Sequence, residues 1–145
     1  MFVTWLAIHG RLPTCDRLHK VGIHCDQTCT LCKKENETHS HLFFTCEYSK
    51  AVWTGVMQWS NMNINACNWQ IVMQYIQSQC NGNNGTHQMS RLVLSITQYM
   101  IWKERNARRF QDIHQSVHEL LNQIKNIVYI SELKSKKMKN LMLSL

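Results

Sequence analysis

Proline is nearly missing from this chain: Pro13 is the only one in 145 residues, and there are five glycines. A sandwich of many short strands needs frequent tight turns, so the composition disfavours an all-β architecture and allows long uninterrupted helices. No apolar run approaches the roughly 20 residues that span a bilayer. The N-terminal stretch MFVTWLAIHGRL is briefly apolar, but it has no basic residue ahead of its apolar part and no small-residue cleavage site. It does not read as a signal peptide. Acidic residues are scarce too, nine against sixteen Lys and Arg, for a net charge of +7. What the chain does have is 44% apolar residues and seven cysteines. The first figure is ordinary for a folded protein. Without an export signal, we expect an intracellular chain, nuclear or cytoplasmic and not secreted, whose cysteines are thiols or metal ligands rather than disulfides. The N-x-T triplets at Asn36 and Asn84 are then chance matches.

The charge is unevenly placed. Residues 1–60 carry six Lys and Arg against five acids, 61–100 carry only Arg91, and 101–145 carry nine against four. The C-terminal end therefore points toward a polyanionic partner.

Apolar spacing gives the elements. Phe2, Trp5, Leu6 and Ile8 share one face of a short helix that ends before Pro13. Thr14 caps a second short helix, with Asp16 in its first turn and Gly22 at its end. Residues 23–37 are polar and cysteine-rich. Thr38 caps a helix carrying His41, Leu42, Phe44 and Cys46 that continues, with room for a break, to Trp59. After a polar connection at 61–68, Trp69–Cys80 reads as a helix, and 81–85 as a loop. Thr86 then caps a long helix with Met89, Leu92, Val93, Ile96, Met100 and Trp102 in a stripe. A second stripe runs through Ile113, Val117, Leu120, Leu121, Ile124, Ile127 and Val128 at near-heptad spacing. The last fifteen residues, rich in lysine, are expected to fray. The fold class is mainly α: a small helical module containing a zinc knuckle (1–60), a connecting helix and loop (61–85), and a helical hairpin with a basic tail (86–145).

Cys29, Cys32, His41 and Cys46 form a C-x2-C-x8-H-x4-C pattern. A CxxC turn aims two thiolates at one ion, and a second pair from a helix can complete a tetrahedron. His41 and Cys46 are five apart, so the helix must end or loosen near Cys46 for both to bind. Residues 23–40 offer little beyond Ile23 and Leu31 to bury, so collapse alone cannot fix this backbone. A structural zinc supplies roughly 10–16 kcal/mol of apparent folding free energy in small modules. Cys3His is a closed donor set, which argues against a catalytic zinc. His39 remains an alternative to His41, and His24 and Cys25 are candidates for the neighbourhood of the ion.

Several pieces follow one another in a familiar order. They are Trp5-Leu6-Ala7-Ile8-His9-Gly10-Arg11-Leu12-Pro13-Thr14, Asp16-Arg17-Leu18, the Cys29–Cys32 pair, Glu37-Thr38-His39-Ser40-His41-Leu42-Phe43-Phe44-Thr45-Cys46, and Trp53. Together they resemble the reverse-transcriptase zinc-binding domain at the C-terminal end of plant non-LTR (LINE-type) retrotransposon polyproteins. Farther on, Ile101 to Phe110 is similar to the W-x-x-R-N-x-x-x-F segment that often follows it. The resemblance implies zinc on Cys29, Cys32, His41 and Cys46, and a role in binding element RNA or target DNA. It also implies that the chain starts inside the domain, as a fragment. No Tyr-x-Asp-Asp polymerase motif, endonuclease or RNase H acidic cluster is present, so no catalytic activity is expected.

On a helix, Arg105, Arg108 and Arg109 share a face, and with Lys103 they are the candidate phosphate contacts. The alternative is a solvated helix surface with Trp102 and Phe110 packed in the core. Trp5, Trp53, Trp59, Phe43 and Phe44 are expected as core around the metal. Lys33, Lys34 and Arg17 form a second basic patch, offset by Glu35 and Glu37. Lys134, Lys136, Lys137 and Lys139 read as a soluble tail. The rival function is a protein-interaction module in which zinc serves folding only and the second stripe mediates self-association.

Overall fold

The computed structural model describes residues 2–79 and 85–143, and the secondary structure among them is helical apart from one isolated antiparallel bridge, Thr28 to Asn36. Two short helices come first, α1 (Phe2–Ile8) and α2 (Cys15–Lys20). Each is closed by a glycine in the left-handed region, where a side chain would be strained: Gly10 at φ 60° and Gly22 at φ 81°. At the second of these the amides of Gly22 and Ile23 return to the carbonyls of His19 and Leu18, at 3.0 Å each. That pairing satisfies the last carbonyls of α2 and ends it where its glycine predicts.

The knuckle segment follows, then a widened π-type turn over His41–Thr45, and then α3 (Glu47–Ser60). α4 spans Trp69–Gln79, α5 Gly85–Gln111 and α6 Val117–Leu143. The expected loop at 81–84 lies outside the described residues. α5 already starts at Gly85, one residue ahead of Thr86.

The buried residues form one cluster running from Ala7 to Val128, with members on every helix except α2. α3 contributes Val52, Trp53, Val56 and Met57, on one face of the helix. At its crossing with α6 a Cβ on Gly55 would meet Leu121 Cδ1 at 2.5 Å, so the two helices approach closely there. α5 is the central helix: between Thr97 and Arg105 only Tyr99 and Lys103 are exposed. Near the α3 end of this core, Phe44 stacks on Trp53 with ring centroids 6.2 Å apart and meets Trp69 edge-on at 4.9 Å.

Three sequence expectations need correction. Ile113 does not belong to the second long helix: α5 breaks at Asp112, φ 54°, and Ile113 is exposed in the turn before Val117. The lysine-rich end is helical, with α6 continuing to Leu143, and residues 144–145 lie outside the described residues. Its residues are good helix formers with no Pro or Gly to stop them. Finally, Trp5, Trp59 and Phe110 are exposed rather than core, while Phe43, Phe44, Trp53 and Trp102 are buried as expected.

Candidate metal centre

The knuckle is built by backbone pairing, in a segment with few apolar side chains. The amide of Cys29 donates to the Glu35 carbonyl at 2.7 Å, and that of Glu37 to Gln27 at 2.6 Å, which pins the two arms of a small hairpin. Lys33, at φ 58°, turns the chain just after Cys32. Its amide donates to the Cys29 carbonyl at 2.8 Å. The amides of Leu31 and Cys32 thereby face the Cys29 sulfur and favour its thiolate.

The second pair of donors arrives through an unusual turn. Thr38 Oγ1 accepts the His41 amide at 3.0 Å, so Thr38 caps this turn as its sequence position predicts. The amide of Cys46 then donates to the His41 carbonyl at 2.8 Å, an i to i+5 closure. In a regular α-helix, residues five apart diverge by about 140°. The widened turn brings Cys46 back over His41, and this is the loosening that the five-residue spacing demands. α3 collects carbonyls of this turn: Ser49 Oγ donates to Leu42 at 2.6 Å and Trp53 Nε1 to Phe43 at 2.8 Å.

The ligand atoms of Cys29, Cys32, His41 and Cys46 all lie within 4.8 Å of one another. Cys29 Sγ is 3.9 Å from Cys46 Sγ, and Cys32 Sγ is 3.3 Å from His41 Nε2. A tetrahedral zinc with bonds of about 2.3 Å to sulfur and about 2.1 Å to nitrogen has ligand-to-ligand edges of about 3.5–3.8 Å. The donor set and its spacing therefore fit zinc, with all four positions filled by protein. His41 is oriented for the task, with Nδ1 3.1 Å from Thr45 Oγ1 and 3.4 Å from Glu35 Oε2. Those partners hold the ring so that Nε2 faces the sulfurs.

The electrostatics point the same way. Sharing a proton with Cys29 brings the Cys46 thiol down to about 5, and the amides of Ser49 and Tyr48 at the start of α3 help. Cys29 is pushed up as the other half of that pair, by the same contact and by burial. A cation held between the two sulfurs would take the place of that proton.

The alternative ligands are turned elsewhere. His39 accepts Trp69 Nε1–H on Nδ1 at 3.2 Å and stacks on that ring. Burial also holds its pKa below the usual histidine value. Cys25 faces the Cys15 carbonyl, and His24 meets His19 edge-on.

Residues 1–53 match the family model described as zinc-binding in reverse transcriptase. No curated protein and no solved structure matches the chain. All four donors fall inside the stretch that matches the zinc-binding model. What clasps them from outside it is α5.

Arg105 is 1% exposed and grips Glu37 with two donors, Nη2 to Oε1 at 2.5 Å and Nε to Oε2 at 3.0 Å. Glu37 Oε1 also accepts the Cys15 amide at 3.0 Å. Burial raises the Glu37 carboxyl, but the Arg105 guanidinium outweighs it and holds the group below its ordinary value. Arg105 lies over Trp102, its guanidinium carbon 4.8 Å from the ring centroid. One turn on, Arg108 Nη1 donates to the Leu31 carbonyl inside the CxxC turn at 3.1 Å. Its Nη2 donates to Gln115 at 2.8 Å, and its Nε to Glu104 at 2.6 Å. Arg109 donates to Cys15 Sγ at 2.7 Å. Burial, reinforced by Glu37, pushes that thiol up to about 11, so it stays neutral beside the two arginines.

This placement corrects the expected phosphate-binding face. Arg105 and Arg108 point inward because α5 buries that side against the knuckle, and Arg109 is half-buried; of the four candidates only Lys103 is exposed. Glu37, read from sequence as a surface charge, is the buried acid that receives Arg105. A single sequence gives no signal for that pairing across 68 positions.

Proposed function

We propose that this chain is a zinc-stabilised helical module that binds RNA or DNA, has no catalytic activity of its own, and works inside the cell. It is derived, on this reading, from the reverse transcriptase of a plant non-LTR retrotransposon. The observation that carries the reading is the closed Cys3His cluster inside a stretch that matches the zinc-binding model of reverse transcriptases. A metal with four protein ligands has no open position for substrate, which favours a structural role. The excess positive charge of the C-terminal third supports a polyanionic partner, and Lys134, Lys137 and Lys139 are exposed on α6 with no ion pair among the described residues. Such contacts give affinity that falls steeply with salt. The test is binding of the zinc-loaded protein to labelled RNA and DNA at low and moderate salt. Binding that weakens as salt rises supports the reading, and no binding at low salt contradicts it.

One observation favours a second reading. Beyond Val128 no described residue of α6 is buried, and Tyr129, Ile130, Leu133 and Met138 are exposed there. Self-association through that part of α6 would cover them. Light scattering after size exclusion decides, because a dimer that resists salt supports this second reading and a monomer rejects it. No helix of the described residues is long and apolar enough to cross a membrane.

A further inference from the structure

The exposed face of α5 carries a stripe that neither the core nor the metal centre uses. Tyr99, Lys103 and Phe110 stand at i, i+4 and i+11, within a sector of about 40° and over about 16 Å of helix. Phe110 is 71% exposed and Tyr99 43%. No ring or cation of the described residues lies against either one. Lys103, between them, is exposed and has no ion pair among the described residues. The nearest exposed acid along the chain, Asp112, is held by His114 Nε2 at 2.9 Å. The buried acid Glu104 is taken up by Arg108.

We infer that this stripe is a track for single-stranded nucleic acid, with Phe110 and Tyr99 stacking on bases and Lys103 meeting a phosphate between them. The inference rests on the nucleic-acid reading above and names the surface and the strandedness it requires. Exposed rings flanking a cation are the general chemistry of a sequence-tolerant single-strand site. A duplex keeps its bases stacked on one another and offers the rings nothing to stack on. A partner helix is disfavoured by the same stripe, because a helix seam needs apolar residues at the positions filled by Lys103 and Asn106. Tyr99 and Phe110 both stand on α5, which runs unbroken to Gln111, so one helix sets their separation.

The experiment is fluorescence anisotropy of a labelled twelve-nucleotide oligo-U at low salt, with the zinc-loaded chain. The variants are Tyr99→Ala, Phe110→Ala, Phe110→Leu and, as a control, the exposed aromatic of α6 in Tyr129→Ala. Circular dichroism checks that each is folded. Each loss of a stripe ring is expected to weaken binding about tenfold, with Phe110→Leu as weak as Phe110→Ala, Tyr129→Ala unchanged, and an unlabelled duplex a poor competitor. Oligo-U binding that is unaffected by Tyr99→Ala and Phe110→Ala overturns this inference and leaves the nucleic-acid function standing. Full recovery by Phe110→Leu replaces stacking with plain apolar contact and also overturns it. Absence of any oligonucleotide binding by the unaltered chain removes both.

Discussion

The knuckle and the α3–α5–α6 bundle are held together by different forces. Between Ile23 and Ser40 the buried residues are Cys29, Thr30, Leu31 and Glu37, so this segment has almost no apolar core of its own. It relies on backbone pairing, on Arg105 and Arg108 of α5, and on the metal that its candidate ligands would hold. The bundle, by contrast, buries Val52, Trp53, Val56, Ile101, Leu120 and Ile124 in one cluster and needs no ion to explain its packing. The difference teaches where each kind of change should act. Burial of apolar area is distributed and tolerates a single loss, whereas a metal and a buried ion pair concentrate stability in a few atoms.

The largest expected effect is removal of the metal. Cys29→Ser combined with Cys32→Ser should abolish zinc binding, measured as zinc per purified chain, at a cost on the order of 10 kcal/mol of apparent folding free energy for the knuckle. Most helical signal from the bundle should survive, since of the four candidate ligands only Cys29 and Cys46 belong to the buried cluster, which is otherwise mostly apolar. Equal collapse of both regions would mean that the knuckle and the bundle are held by the same forces.

The clasp comes next. Arg105→Ala strands Glu37 as a buried, unpaired carboxylate and should cost about 3–5 kcal/mol in denaturant unfolding at saturating zinc. Replacing both partners by Met should cost much less, because the desolvation penalty goes with the charges. A bundle substitution of comparable size sharpens the contrast. Ile124→Ala should cost about 2–5 kcal/mol by leaving a cavity, yet leave zinc affinity unchanged in a chelator competition. Smallest of all, changing Lys134, Lys137 and Lys139 to Ala should alter stability by less than about 0.5 kcal/mol. If the proposed function holds, the same triple change reduces the salt dependence of nucleic-acid binding.

Much of this was legible in the sequence, for reasons that differ between residues. The Cys29–Cys32 turn is short-range chemistry, and the five-residue gap from His41 to Cys46 already required a loosened helix. The closure of Cys46 onto the His41 carbonyl meets that requirement. α4 and α5 follow from apolar spacing and the end of α2 from Gly22, whereas Thr14 precedes α2 without capping it, its hydroxyl donating to Asp16 instead. What stayed hidden was tertiary. Arg105, Arg108 and Arg109 do lie along one side of α5, but nothing local says whether that side meets water or Glu37. Ile113 sits in phase with the apolar positions of α6, and spacing alone does not register the left-handed turn at Asp112 that separates them. Phe110 falls in a recognisable segment beside Trp102, yet one ring is buried and the other exposed. Periodicity assigns a face, and the packing partner decides its meaning.

If Cys29, Cys32, His41 and Cys46 hold zinc as proposed, the metal and the α5 residues Arg105 and Arg108 should form one cooperative unit, so that the metal orders a helix end it does not touch. Hydrogen exchange read by mass spectrometry, with and without a zinc chelator, tests this most directly. Chelation should strip protection from residues 25–46 and also from 104–117, where Glu104, Arg105, Arg108 and Gln115 meet the knuckle or one another. The amides of α3 around Val52–Met57 and of α6 around Leu120–Val128 should stay protected. Loss confined to 25–46, with 104–117 unchanged, would contradict it and reduce the clasp to a passive contact.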